Sequence, residues 1–136
     1  MAKIIEWQDG FSVKVKMIDD QHKQIIKTTN DLYQAMMDKE IEEKFDEILV
    51  RLEDYYNLHF KTEEDLMAKY NFDGIEEHKK AHHAFIEKIS ELKTKKAIDE
   101  VAASFELVDF LEDWILNHLA VMDHLYVQCF QDAGLS

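Results

Sequence analysis

The 136-residue chain has no proline, three glycines and a single cysteine. Without proline, and nearly without glycine, the usual punctuation of strands and tight turns is missing, so long stretches are free to be helical. One cysteine cannot form an internal disulfide. Cys129, between Val127 and Phe130, reads as an ordinary helix-packed thiol in a reducing compartment. No apolar run reaches the roughly eighteen residues needed to cross a bilayer, and no charged-then-apolar leader ends in small residues. The expectation is a cytoplasmic protein with no membrane insertion. Positive charge is scarce too: 16 Lys and Arg face 29 Asp and Glu, a formal net charge of -13. That field repels phosphate backbones and anionic headgroups, and no basic cluster overcomes it locally, which argues against nucleic acid as a partner.

What the chain does have is apolar residues, 46% of the total, enough at this length for one core and one domain spanning residues 1–136. Residues 1–18 read as an extended N-terminal arm. There Val13, Val15 and Met17 alternate, Trp7 and Phe11 are placed to cover the end of a bundle, and Asp19 or Asp20 is placed to cap the first helix. Ile25, Ile26, Thr29, Leu32, Tyr33 and Met36 follow helical spacing to about Asp38. A second stripe runs from Phe45 through Leu52 and Tyr55 to Tyr70. A third runs from about Ile75 to Lys93, and a fourth from near Asp99 to about Phe130. The fold class expected is all-α, an up-down-up-down antiparallel four-helix bundle over residues 19–130.

Polar residues interrupt these apolar stripes in a pattern. His59 and Glu63 are four apart, as are His78 and His82, and so share helix faces that otherwise carry Leu, Ile and Phe. Antiparallel packing brings His22, the pair His59 and Glu63, the pair His78 and His82, and His118 with Asp123 toward one level at one end of the bundle. Burying five imidazoles and two carboxylates together is costly unless something binds them, and metal ions are the economical occupant. His118 and Asp123 are five apart and diverge by about 140° on a regular helix, so a bulge or kink near Leu119 to Met122 is expected. His83 and His124 are each rotated by about 100° from a neighbouring ligand and read as surface residues. Glu64, Asp65, Glu76 and Glu77 read as solvated charge.

The segments "DDQH", "HFKTEEDLM", "HKKAHHAF" and "WILNHLAVMD" resemble the hemerythrins, specifically the single-domain bacterial ones. The likeness covers nearly the whole chain, including the arm with Trp7. It implies a non-haem di-iron centre, oxo- or hydroxo-bridged, in which His78, His82 and His118 hold one iron, His22 and His59 hold the other, and Glu63 and Asp123 bridge them. Imidazole with carboxylate suits iron but also zinc or manganese, so the choice of metal comes from the resemblance. The implied function is reversible O2 binding for oxygen storage, transport or sensing, with no catalytic residues and no enzyme activity. Other small ligands are expected at the vacant iron position.

By the same resemblance Ile25, Phe60, Trp114, Ile115 and Leu119 form the apolar O2 pocket, although each also suits an ordinary core. Two departures stand out: Leu119 replaces a frequent isoleucine, and Asn71 a frequent proline. Two further readings compete. Di-iron oxidases or peroxidases on ferritin-like bundles use more carboxylates and Glu-x-x-His motifs. An O2 or redox sensor domain of a larger signalling protein would have its partner domain outside these residues.

Overall fold

Four long amphipathic stretches form the helices that place the polar level. In the computed structural model, which describes residues 5–136, they are α1 (Lys16–Met37), α2 (Ile41–Lys69), α3 (Ile75–Lys96) and α4 (Glu100–Asp113). α4 runs on through a π-helical segment, Trp114–Leu119, a 3-10 segment, Met122–Tyr126, and a short α5, Val127–Asp132. No strand occurs among the described residues, and the chain is an all-helical four-helix bundle with short connections. No described helix is long and apolar enough to cross a membrane. Residues 1–4 of the expected arm lie outside the described residues.

The described arm is only partly extended. Asp9–Phe11 make one 3-10 turn, and α1 begins at Lys16, so Met17 faces solvent while Val13 and Val15 are buried. The alternation seen in the sequence stops there because helical spacing takes over. For the same reason neither Asp19 nor Asp20 is the N-cap. Val15 takes that place without a side-chain bond. Asp19 instead accepts hydrogen bonds from the Val13 amide (2.9 Å) and the Ser12 hydroxyl (2.6 Å), fastening the arm to the helix. Asp20 pairs with Lys16 on the surface. Asp99 does cap α4, accepting from the Ala102 amide at 3.1 Å.

The connections exclude proline at the position the resemblance made conspicuous. Asn71, in the turn between α2 and α3, has φ of +56°, which the proline ring forbids and asparagine tolerates. Lys39, between α1 and α2, adopts the same left-handed conformation at +58°.

Apolar packing falls into two layers. The larger joins Ile25, Leu32, Phe45, Leu52, Tyr55, Phe60, Phe85, Ile89, Leu107, Trp114 and Leu119, with Trp7 packed against it. The smaller joins Val13, Val15, Ile18, Met67, Tyr126 and Phe130. On α2 the first ends at Phe60 and the second begins at Met67; Glu63 lies between them, one turn beyond His59. Cys129 is half-buried beside the smaller layer, its thiol 3.4 Å from the Tyr70 carbonyl oxygen.

Candidate metal centre

All seven residues expected from the sequence meet in this polar level, and all are buried: His22, His59, Glu63, His78, His82, His118 and Asp123. α1 supplies one, α2 two and α3 two, by the four-residue spacing that keeps a helix face pointed inward. The last two come from irregular backbone. The Ala120 amide bonds back to the Ile115 carbonyl at 3.1 Å, a five-residue step that widens the helix around His118. Val121 then breaks the helix at φ -123° and ψ -63°, and the tighter 3-10 turn swings Asp123 inward. The irregularity expected near Leu119 to Met122 is present and begins earlier, at Trp114.

The donor atoms converge. Glu63, His78, His82, His118 and Asp123 each offer an atom within 4.8 Å of all the others, and so do His22, His59, Glu63 and Asp123. The two sets share Glu63 and Asp123. His78 Nε2 lies 2.6 Å from Asp123 Oδ1, His82 Nε2 3.0 Å from Glu63 Oε1, and His22 Nε2 3.1 Å from Asp123 Oδ2. His22 Nε2 and His59 Nε2 face each other at 3.0 Å, within hydrogen-bond distance. His118 Nε2 and Asp123 Oδ2 are buried without a hydrogen-bond partner. Protein atoms alone leave these groups crowded and unsatisfied, whereas two cations would satisfy both donor sets; the residues fit the pair of metal ions.

Residues around the ring fix its orientation. The Gln21 amide oxygen accepts from His59 Nδ1 at 2.7 Å, and the Glu64 carboxylate accepts from His82 Nδ1 at 2.8 Å. Each bond places the proton on Nδ1 and leaves the Nε2 lone pair directed inward, as metal ligation requires. The Tyr126 hydroxyl donates to Glu63 Oε2 at 2.5 Å.

The reading of Glu64 as solvated charge is therefore corrected. It is half-buried because it reaches across to α3. His124 is corrected as well: it is half-buried, its Nε2 enclosed without a partner, because the broken helix no longer turns by 100° per residue. His83 is exposed and pairs with Glu87, and Asp65, Glu76 and Glu77 are exposed, as expected. Gln21, Glu64 and Tyr126 were missed as contributors. The available signals were their places beside His22, beside Glu63 and three residues past Asp123.

Charge balance in the ring is tight. Burial opposes a proton on His22, but the Asp123 and Glu63 carboxylates outweigh it and lift its pKa to about 9. For His59 burial wins and the pKa falls. Burial likewise works against ionised Glu63 and Asp123, yet the surrounding histidines keep both carboxyls well below their usual range.

Ile25, Phe60, Trp114, Ile115 and Leu119 are all buried in the larger apolar layer adjoining the ring. Phe60 stacks on His82 with ring centres 3.9 Å apart, and Trp114 stacks on His118 at 3.8 Å. Tyr55 stacks on His59 at 5.0 Å.

Comparison with known proteins gives a consistent result. The family described as "Hemerythrin HHE cation binding domain" matches residues 13–130. A bacteriohemerythrin of Pseudomonas aeruginosa (strain LESB58) is 35% identical over 127 residues, covering 93% of this chain and 81% of that protein. A bacteriohemerythrin of Clostridium acetobutylicum is 29% identical, covering 89% and 97% respectively. A myohemerythrin of Sipunculus nudus is 28% identical, covering 88% of each.

Proposed function

The chain belongs to the hemerythrin family, and from that premise we propose that it binds O2 reversibly at a non-haem di-iron centre, for oxygen storage, transport or sensing. Residues 1–136 are read as one hemerythrin-like domain. His78, His82 and His118 would hold one iron and His22 and His59 the other, with Glu63 and Asp123 shared between them. When bound, a ferrous pair would supply the electrons that O2 binding needs.

The observation that carries the proposal is the unequal sharing of donors: three imidazoles serve one set and two serve the other around the same two carboxylates. The His22 and His59 side is one donor short, which leaves room for a small ligand. Ile25, Phe60, Trp114, Ile115 and Leu119 close that region to water, and a dry wall keeps protons from driving bound oxygen off as peroxide. Tyr126 and the Nδ1 partners Gln21 and Glu64 hold the ring in place without entering it.

The role is binding without turnover, in the cytoplasm. Five histidines to two carboxylates is the reverse of the carboxylate-rich oxidase sites on ferritin-like bundles. A sensor role within a larger signalling protein would use the same centre.

The test is elemental analysis followed by gas exchange. Protein from iron-replete cells should hold two irons per chain, gain a visible spectrum when O2 is added to the reduced form, and lose it under vacuum. One zinc per chain, or no metal, overturns the proposal. A spectrum that vacuum cannot reverse favours the oxidase.

A further inference from the structure

Two polar atoms in the otherwise apolar wall have no hydrogen-bond partner: the Tyr55 hydroxyl and the Trp114 indole nitrogen. Both side chains are buried in the larger apolar layer. Their rings belong to one aromatic cluster. Tyr55 lies 6.0 Å from Phe85 and 5.7 Å from Phe60, and Trp114 lies 4.7 Å and 5.6 Å from the same two rings. Each is also stacked on a ring of the metal centre, Tyr55 on His59 and Trp114 on His118. The Tyr55 hydroxyl and the Trp114 indole nitrogen are thus two unpartnered polar atoms of one cluster packed on the metal centre.

A phenylalanine at position 55 would keep the stack on His59 and the contact with Phe85 while burying no polar atom. An enclosed hydroxyl without a partner is destabilising, and few are kept in native cores. Its place is informative: one turn before His59, on the donor-poor side of the centre, inside the region read as dry. With no partner in the wall, the hydroxyl hydrogen remains free to point toward the centre.

We propose that Tyr55, backed by Trp114, is the hydrogen-bond donor to the outer atom of a small ligand seated beside His22 and His59. This rests on the oxygen-binding reading above and adds a specificity rule to it. The seat favours diatomic and triatomic ligands whose outer atom accepts a hydrogen bond, and it gives nothing to a one-atom ligand too short to reach the hydroxyl. The pocket is thus apolar with a single directed donor.

The test is Tyr55→Phe, which removes only the oxygen, with azide and chloride as probes of the oxidised two-iron protein. Azide should bind roughly 3- to 10-fold more weakly to the variant, the size of one hydrogen bond, while chloride affinity changes less than twofold. In metal-free protein, nuclear magnetic resonance should resolve two indole N–H signals, from Trp7 and Trp114, and the substitution should move the Trp114 signal. Equal azide affinity in variant and wild type, with two irons in each, overturns the assignment of Tyr55. Loss of iron from the variant also overturns it, by making Tyr55 a support for His59. A wild type that holds two irons yet takes up neither azide nor O2 overturns the oxygen-binding reading, and this proposal with it.

Discussion

The five imidazoles of the centre are held unequally, and single residues account for the difference. His82 is gripped at Nδ1 by a carboxylate, His59 by a neutral amide, and the Nδ1 atoms of His22 and His78 have no partner. Glu64→Ala should therefore lower metal affinity about 10- to 100-fold, read by competition with a chelator, with the fold retained. Undiminished affinity would return Glu64 to the solvated charge that the sequence suggested. Leu119 makes a second case. Leu119 is fully buried and next to His118, and in the proposed pocket it would shield the ligand seat, so Leu119→Glu would put an ionisable carboxyl in an apolar place. The oxygenated visible spectrum of the variant should decay faster than that of wild type at equal iron content; an unchanged decay rate would place Leu119 outside the pocket wall. The seven residues that the structure brings together were legible in the sequence, four of them (His59, Glu63, His78 and His82) through helical spacing and His22, His118 and Asp123 only through their common level in the bundle. Glu64, Gln21, Tyr126 and Tyr55 were not, since their roles depend on contacts between helices or on enclosure that no spacing reports.

At the scale of elements, the bounds of regular helices were legible and the shape of the irregular segment was not. α1, α2 and α3 were readable to within a few residues at most ends, because an amphipathic stripe has one period. The fourth helix read as continuous from near Asp99 to about Phe130, whereas the chain passes through π, broken and 3-10 backbone before α5. Only the five-residue interval between His118 and Asp123 hinted at this. The same segment carries His118, Asp123 and Tyr126, so its unusual backbone is tied down by the centre itself. Chelating the metal should accelerate amide hydrogen exchange in residues 114–126 more than in α1 or α3. Uniform acceleration along the chain would show that the segment holds its shape without help.

For the whole molecule, the polar level sits between two apolar layers, so its protonation is linked to folding. Metal ligation needs neutral imidazole, but in the metal-free protein His22 has a pKa of about 9 and carries a proton at pH 7. Iron uptake should release that proton, detectable with an indicator dye, and should tighten as pH rises toward 9. Because the His22 pKa is raised on folding, its charge stabilises the metal-free fold fully below pH 6.5, and that contribution is lost as pH rises through 9. Thermal melts of metal-free protein should show this loss, and melts of the loaded form should not. A metal-free protein equally stable at pH 6.5 and 9 would remove His22 from the linkage.

Glu63 and Asp123 belong to both donor sets. In the proposed centre, whichever ion arrived first would align the two carboxylates for the second, so the ions should enter as a couple rather than independently. Under limiting iron, a native mass spectrum should then show two populations, chains with none and chains with two, with few in between. A cell short of iron would hold fewer working molecules, not many half-built ones. A spectrum dominated by singly loaded chains would mean that the shared carboxylates pass nothing from one side to the other.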